Sequence, residues 1–171
     1  FESLALAAKS GTGKKPLRIH LKMDTGMHRQ GFQPYEMDKL IVALSGNKQL
    51  VVEGVYTHFA EAKSPRSGGS TREQIARFEK MMKQLREEGY TFTAHAAATG
   101  GTLLYPSAHY DMVRIGIGLY GLWPSKESEQ FLSNKITLKS VLSWRAIVSE
   151  VKNVAIGERV GYDFTEMLTR N

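Results

Sequence analysis

Short apolar runs alternate with stretches of helical periodicity over most of the chain from Leu17 onward. The first run, Leu17 to Asp24, has an apolar side chain at every second position and a polar one in between: Ile19, Leu21 and Met23 alternate with His20, Lys22 and Asp24. Because successive side chains of a strand point to opposite faces, this alternation predicts a strand with one apolar and one polar face. A wholly polar face is unusual enough to indicate a site.

The rest of this region continues the same alternation of helices and strands. The predicted elements are a helix that opens at Pro34 and ends at Gly46, a strand from Leu50 to His58, a helix with a capping box at Ser70 to Glu73 and an end at Gly89, a strand from Tyr90 to about Ala97, and a strand from Met112 to Tyr120. Four strands separated by helical segments indicate βα units, and therefore an α/β fold with a parallel sheet. Polar residues follow each strand, where ligands bind in such folds.

The pattern changes after Pro124. Residues 125–135 are polar, and a long β-rich run extends from Thr137 to Val154. Four strands are half of an eight-stranded barrel and would leave two open sheet edges. We therefore expect a linker or partial element at 1–16, a half-barrel at 17–124, a linker at 125–135, the start of a β-rich domain at 136–171, and a natural protein longer at both ends.

Composition narrows the class of protein. With 42% hydrophobic and 23% charged residues, the chain is typical of globular domains. It has no cysteine, which excludes a disulfide scaffold and fits the cytoplasm. The net charge of +6 is scattered and gives no nucleic-acid-binding patch, and no apolar stretch approaches the roughly 20 residues of a membrane span. We expect no nucleic-acid, membrane or metal site.

The segment Ala8 to Lys15 is similar to a phosphate-binding P-loop. Ala8 replaces the first glycine, Lys15 replaces the required Ser or Thr, and the segment leads into a strand instead of a helix. We interpret it as a flexible linker.

Three motifs together resemble the alanine racemase family over about Leu17 to Arg170. They are I-H-L-K-M-D-T-G-M-H-R at 19–29, D-M-V-R-I-G-I-G-L-Y-G at 111–121 and V-G-Y at 160–162. The resemblance implies a partial TIM (β/α)8 barrel, pyridoxal 5'-phosphate (PLP) as cofactor, and interconversion of L- and D-alanine for bacterial peptidoglycan by a homodimer with shared active sites. Serine or broad-specificity racemases share this fold.

The first motif carries two candidate catalytic residues. Lys22 has three possible roles: an exposed lysine, a lysine in a Schiff base with PLP, or a charged support for a neighbour. The resemblance favours the third, because the family lysine is commonly carbamylated and braces the motif arginine, here Arg29. That arginine reaches the phenolic oxygen of PLP and the substrate carboxylate in the family, which suits its forked donors.

The resemblance also supplies candidate cofactor-binding residues. Arg114 corresponds to the partner of the pyridine nitrogen, where a permanent cation discourages protonation. A structural arginine paired with Asp111 is the alternative. The other candidates, each of which could instead be a structural residue, are His58 in T-H-F-A, the phosphate-binding hydroxyl of Thr99, and the backbone amides of Gly116 and Ile117.

Tyr162 corresponds to the second acid/base of the family, which acts in the partner subunit's site. Two bases on opposite faces are what inversion at Cα requires. An ordinary strand tyrosine is the alternative. The chain departs from the family pattern at Ala98 (commonly Asn), Ile115 (commonly Pro) and Asp163 (commonly Gly).

The family motif that bears the Schiff-base lysine, which resembles A-V-V-K-A-D-A-Y-G-H-G, does not occur in the 171 residues. We therefore expect this chain alone to be inactive. Two alternatives remain: a catalytically dead module that keeps a PLP pocket, and a barrel decarboxylase of basic amino acids. The decarboxylases use an acidic partner for the pyridine nitrogen, so Arg114 argues against the second.

Overall fold

The computed structural model describes residues 1–10, 15–66 and 68–170 and divides into two compact units, Phe1–Val141 and Leu142–Asn171. The flexible linker predicted from Ala8 to Lys15 is wrong at its start, because Ala8 to Ser10 are the last turn of a helix. The stretch 11–14 lies outside the described residues, so the linker interpretation stays a prediction there.

A four-stranded parallel sheet forms the centre of the first unit. Its strands are β1 (Leu17–Lys22), β2 (Leu50–Tyr56), β3 (Thr93–Ala98) and β4 (Met112–Arg114), in the order β1-β2-β3-β4. Its helices are α1 (Glu2–Ser10), α2 (Met37–Ser45), α3 (Gly68–Glu87), α4 (Thr99–Leu104) and α5 (Lys126–Leu132), with 3-10 turns at Pro34–Glu36, Pro106–Ala108 and Ile117–Tyr120. The predicted α/β fold with a parallel sheet is confirmed.

The hydrophobic core joins one face of the sheet to α2 and α3. Its largest fully buried side chains are Phe78, Met23, Met37, Leu40 and Met81. Burial of each such side chain stabilises the fold by about 1.5–3 kcal/mol. This core holds the strands in place, and it thereby positions the loops that begin at their carboxyl ends.

The start of α3 differs from the prediction. The helix begins at Gly68, so the proposed capping box at Ser70 to Glu73 is wrong, because both residues already lie inside the helix. The Ser70 hydroxyl instead donates to the Glu61 carboxylate at 3.0 Å. The predicted end is confirmed: Gly89 has a φ of +83°, which glycine adopts readily.

The fourth strand is shorter than predicted. It ends at Arg114, and a 3-10 turn replaces the expected continuation to Tyr120. The backbone N–H groups of Gly116 and Gly118 both donate to the Thr99 hydroxyl instead of to a neighbouring strand. The chain therefore turns over the carboxyl end of β3.

The region after Pro124 also differs from the prediction. The stretch 125–135 contains α5, whose N-terminus is capped by the Ser125 side chain, which accepts from the Ser128 N–H at 3.1 Å. The β-rich run predicted from Thr137 to Val154 forms no strand in those residues, all of which are described. Strands need a partner ladder, and here apolar side chains such as Trp144 lie exposed instead.

The second unit contains a small antiparallel hairpin, β5 (Arg159–Val160) with β6 (Glu166–Met167). Its turn has positive φ at Gly161 (+86°), Asp163 (+54°) and Phe164 (+50°). Asp163 stands where the family commonly has glycine, which adopts a left-handed backbone readily. Aspartate can take its place because it tolerates this region better than most residues.

Candidate functional site

The carboxyl ends of the four strands converge on one edge of the sheet. The loop that follows β1 holds Asp24 to Arg29, the segment after β2 holds His58, Thr99 follows β3, and Arg114 closes β4. This convergence follows from the parallel arrangement, which directs all four ends the same way. The residues that follow the four strands therefore lie at one edge of the sheet, as the sequence predicts.

A cavity of about 400 Å³ opens at this edge. It is lined by all five residues predicted to bind a cofactor: His58, Thr99, Arg114, Gly116 and Ile117. The remaining lining is mostly small or apolar and comes from the segment 59–63, the end of β3 and start of α4, and Pro124. Ala98 thus contributes a methyl group where the family commonly has an amide.

Arg114 is held by acceptors that carry no formal charge. Its Nη1 group donates to His95 Nδ1 at 2.7 Å, and its Nη2 group donates to the carbonyl oxygens of Thr57 at 2.8 Å and Ala96 at 3.0 Å. Its guanidinium also lies 5.3 Å from the ring centre of Tyr56. Burial lowers the pKa of Arg114 below its usual value. Nε–H and one Nη1 hydrogen lie outside the hydrogen bonds just described.

The alternative role for Arg114, a structural pair with Asp111, is wrong. The Asp111 carboxylate accepts the backbone N–H of Ala94 at 2.7 Å. No salt bridge to Arg114 occurs among residues 1–10, 15–66 and 68–170. Asp111 instead holds the start of β4 against β3.

Thr99 organises the turn below the cavity. Its hydroxyl oxygen accepts from the backbone nitrogens of Gly116 at 3.0 Å and Gly118 at 3.2 Å. A Cβ at Gly118 would lie 2.6 Å from the Thr99 methyl group, so glycine is required there for the close approach. The turn thus brings two backbone N–H groups and a hydroxyl together, and Thr99 and Gly116 both line the cavity.

His58 lines the same cavity as this turn. Burial, and then the positive charges of Arg114, Arg29 and Lys22, lower the pKa of His58 below its usual value. The imidazole is therefore neutral near pH 7. Its Nδ1 lies 3.4 Å from Arg114 Nη2.

Lys22 does not line this cavity. It lines a second one, together with Tyr56, Gln30 and Phe32. Burial lowers the pKa of Lys22, and the Arg29 charge lowers it further, although Asp24 partly offsets both. A lowered pKa makes the neutral, nucleophilic amine more available. The Arg29 side chain is exposed at the end of the same loop.

The loop that carries Arg29 is built around Asp24, which is 4% exposed. Asp24 Oδ1 accepts the backbone N–H groups of Gly26, Met27 and His28, each at 3.0 Å, and Oδ2 accepts from Gln33 Nε2 at 3.0 Å. Burial alone would raise the pKa of Asp24, but these N–H groups outweigh it and lower the pKa. The Asp24 carboxylate thus fixes the conformation of the loop through four hydrogen bonds.

Gln74 is a residue that sequence reasoning missed. Its side-chain amide on α3 is buried, accepts the Ala60 N–H at 2.9 Å, and donates to the Thr25 hydroxyl at 3.2 Å and the His58 carbonyl at 3.4 Å. It therefore joins the loop after β1 to the loop after β2. The available signal was a polar residue within the apolar stripe of α3.

Tyr162 belongs to the second unit, where its side chain is exposed. Its role as a second base stays a prediction. Within the described part of the chain, no group of three or more metal-ligating side chains could hold a metal ion, and none of the helices has the length and apolar character that a membrane span needs.

Comparison with known proteins gives a consistent likeness. The family described as alanine racemase, N-terminal domain, matches residues 2–124. Alanine racemase from Carboxydothermus hydrogenoformans is 42% identical over 158 residues, which cover 92% of this chain and 42% of that protein. Alanine racemase from Desulforamulus reducens is 38% identical over 161 residues, which cover 93% of this chain and 42% of that protein.

Solved structures give the same likeness. The alanine racemase of Streptomyces coelicolor A3(2) superimposes with a TM-score of 0.81 at 31% identity, over 98% of this chain and 45% of that one. The alanine racemase of Bacillus anthracis with bound L-Ala-P superimposes with a TM-score of 0.78 at 32% identity, over 98% of this chain and 43% of that one. The chain thus spans less than half the length of these relatives.

Proposed function

The chain belongs to the alanine racemase family, and from that premise we propose that it forms the central part of a PLP-dependent enzyme that interconverts L- and D-alanine. In this proposal, residues 17–124 are the carboxyl-terminal half of the barrel, residues 125–135 lead out of it, and residues 136–171 open a β-rich domain. The product D-alanine would supply peptidoglycan synthesis in the cytoplasm.

The observation that carries the proposal is the environment of Arg114. Within the described part of the chain, the guanidinium bonds no carboxylate, lines a cavity of about 400 Å³ and has N–H groups without a hydrogen-bond partner. A permanent cation at this position suits an unprotonated pyridine nitrogen, because it can donate but cannot protonate. An acidic partner, as the decarboxylase alternative requires, would favour the opposite state.

The residues around the cavity fit PLP as a group. Arg114 would hold the pyridine nitrogen, while Thr99 and the backbone amides of Gly116 and Ile117 would hold the phosphate. His58 would support the ring side of the cofactor as a neutral imidazole. When bound, PLP supplies an electron sink that acidifies the Cα proton of an amino acid.

The loop after β1 would serve the substrate. In our proposal, the neutral amine of Lys22 adds to the carbon of CO₂ and loses a proton, which leaves an anionic carbamate beside Arg29. The carbamate would hold the Arg29 guanidinium where it can bind the phenolic oxygen of PLP and the substrate carboxylate. The lowered pKa of Lys22 favours this addition.

Tyr162 would exchange the Cα proton from one face of the substrate in the partner subunit's site, so the enzyme would be a homodimer with shared active sites. The base on the other face is the family lysine, whose motif is absent from these 171 residues. We therefore expect the isolated chain to bind PLP reversibly without racemising alanine.

A hybrid enzyme tests the proposal. The segment of the Carboxydothermus racemase that matches this chain would be replaced by the chain itself, and both enantiomers of alanine would be followed by chiral chromatography with added PLP. We expect interconversion in both directions. Tyr162→Phe in the hybrid should reduce the rate by about 100-fold or more, since it removes a general base, whereas Tyr35→Phe, an exposed tyrosine of the first unit, should not.

A hybrid that folds and binds PLP but leaves both enantiomers of alanine unchanged would contradict the racemase proposal and favour the non-catalytic module. The same assay with serine addresses the main alternative. Faster turnover of serine than of alanine would assign the chain to a serine or broad-specificity racemase.

A further inference from the structure

Two histidines extend behind Arg114, away from the cavity. His95, on β3, is buried, and its Nδ1 lies 2.7 Å from Arg114 Nη1. Its other nitrogen, Nε2, lies 2.9 Å from Nδ1 of His20, on β1. Three side chains from three strands thus form a continuous hydrogen-bonded chain that ends at the cavity wall.

The two hydrogen bonds that link Arg114, His95 and His20 can have only one donor-to-acceptor direction. An arginine side chain has donors and no acceptor, so His95 Nδ1 must accept and carries a lone pair. A neutral imidazole with a lone pair at Nδ1 has its proton at Nε2, which must therefore donate to His20 Nδ1. The direction of both hydrogen bonds follows from the chemistry of Arg114 alone.

The surroundings keep His95 neutral and in place. Burial, followed by the Arg114 and His20 charges, lowers the pKa of His95 to about 4. The Tyr56 ring is stacked on the imidazole at 5.0 Å between centres and an interplanar angle of 3°. Protonation would place a second N–H against the guanidinium, which explains why the neutral form is favoured.

Gly54 makes the contact between the histidines possible. His20 and His95 lie on β1 and β3, which are separated by β2, and Gly54 is the residue of β2 in register with His20. A Cβ at Gly54 would clash with the His20 ring, because the ring occupies the space above that glycine. The absent side chain lets His20 cross β2 and reach His95.

We propose that His20 and His95 are positioning residues, which hold the Arg114 guanidinium in one orientation toward the cavity. They do so through a relay of two hydrogen bonds, in which Arg114 donates to His95 and His95, with its proton on Nε2, donates to His20. Removal of the relay would leave Arg114 anchored through Nη2, by the Thr57 and Ala96 carbonyls and the longer contact to His58 Nδ1. The guanidinium could then rotate about that anchor. The consequence for PLP rests on the proposed function; the relay itself does not.

The first test reads the relay directly. The 171-residue chain, labelled with 15N in its histidines, would be examined without PLP at pH 7.5 by long-range 1H–15N correlation spectra, which distinguish the two tautomers. His109 serves as the internal reference, since its Nε2 contacts the Thr102 carbonyl at 2.8 Å and so must carry the proton. We expect His95 to show the same tautomer. A proton on Nδ1 of His95, or a cationic His95, would overturn the relay.

The second test breaks the relay without touching Arg114 or His95. Gly54→Ala should displace His20, and Gly69→Ala is the matched control, because a Cβ at Gly69 meets nothing within 4 Å. We expect Gly54→Ala to change the His95 nitrogen shifts and to weaken PLP binding by on the order of tenfold, the equivalent of one hydrogen bond. Unchanged His95 shifts in a folded Gly54→Ala protein would refute the link through His20.

The two proposals fail in different ways. If the wild-type chain shows the expected tautomer but binds no PLP, the proposed cofactor site is wrong and the relay stands. If the chain binds PLP and His95→Leu, which can neither accept nor donate, binds it equally well, then the positioning role is wrong. His95→Gln keeps one acceptor and one donor and should retain most of the affinity.

Discussion

The side-chain oxygen of Thr99 lies 3.0 Å from the backbone nitrogen of Gly116, so the start of α4 and the turn after β4 are joined by a single hydroxyl. The same oxygen also accepts from Gly118. One side chain thereby shapes the floor of the cavity, and its chemistry sets the first prediction.

Thr99→Val should destabilise the first unit by about 1–3 kcal/mol, because the replacement has the same shape but leaves two backbone N–H groups without their acceptor. Urea unfolding measures the change. Thr102→Val is the matched control: the Thr102 hydroxyl only donates to the Ala98 carbonyl, so its loss should cost less. Equal losses in the two variants would contradict the role of Thr99.

Asp24→Asn should loosen the loop that carries Arg29. An amide nitrogen at the position of Oδ2 would face the Gln33 donor, and at the position of Oδ1 it would face three N–H groups, so either rotamer opposes donors. We expect a loss of about 1–3 kcal/mol in the free energy of unfolding. Faster amide hydrogen exchange at Gly26, Met27 and His28 would localise the effect, and unchanged exchange there would refute it.

Gln74→Leu should uncouple the loops after β1 and β2. The variant keeps the bulk of the side chain but removes the bonds to Ala60, Thr25 and the His58 carbonyl. Since buried groups lose their partners, we expect a destabilisation of about 1–3 kcal/mol. Gln84→Leu, on the same helix and only partly buried, should change stability by less than about 0.5 kcal/mol.

Acid should destabilise the protein through His95. The folded pKa of His95, about 4, lies below the unfolded value of 6.5, so between these values the unfolded state binds more protons. The free energy of unfolding should therefore fall as the pH drops from 7 toward 4, by about 2–3 kcal/mol from this group. The lowered pKa of His58 acts in the same direction.

Urea midpoints at pH 7 and pH 5 measure this slope. His95→Gln removes the titrating group and keeps His58, so its slope should be shallower than that of the wild type. A wild-type slope that His95→Gln leaves unchanged would assign the acid sensitivity to other groups.

The periodic spacing of apolar residues predicted best those elements that bury one face in the core. The four strands of the sheet and the helices over Met37–Ser45 and Gly68–Glu87 follow directly from residues that face one core. The local rules failed where a distant residue decided the outcome: the end of β4 depends on a hydroxyl at Thr99, and the run from Thr137 to Val154 has β-forming residues but no partner ladder.

The candidate site shows the same division. Motif resemblance named five of the residues that line the cavity, because those residues touch it themselves. It missed His95 and Gln74, whose side chains join strands and loops far apart in sequence. Such contacts leave only a faint local signal, a polar side chain in an otherwise apolar strand or helix face.

The strand order β1-β2-β3-β4 also has a consequence for how the chain folds. Each of β2, β3 and β4 pairs with the strand that precedes it in sequence, and each parallel pairing forms only after the intervening crossover is in place. No strand of this sheet is inserted between two earlier ones. Strands can therefore add to one edge of the sheet in the order in which they are synthesised. Each added strand pairs with a strand that is already in the sheet.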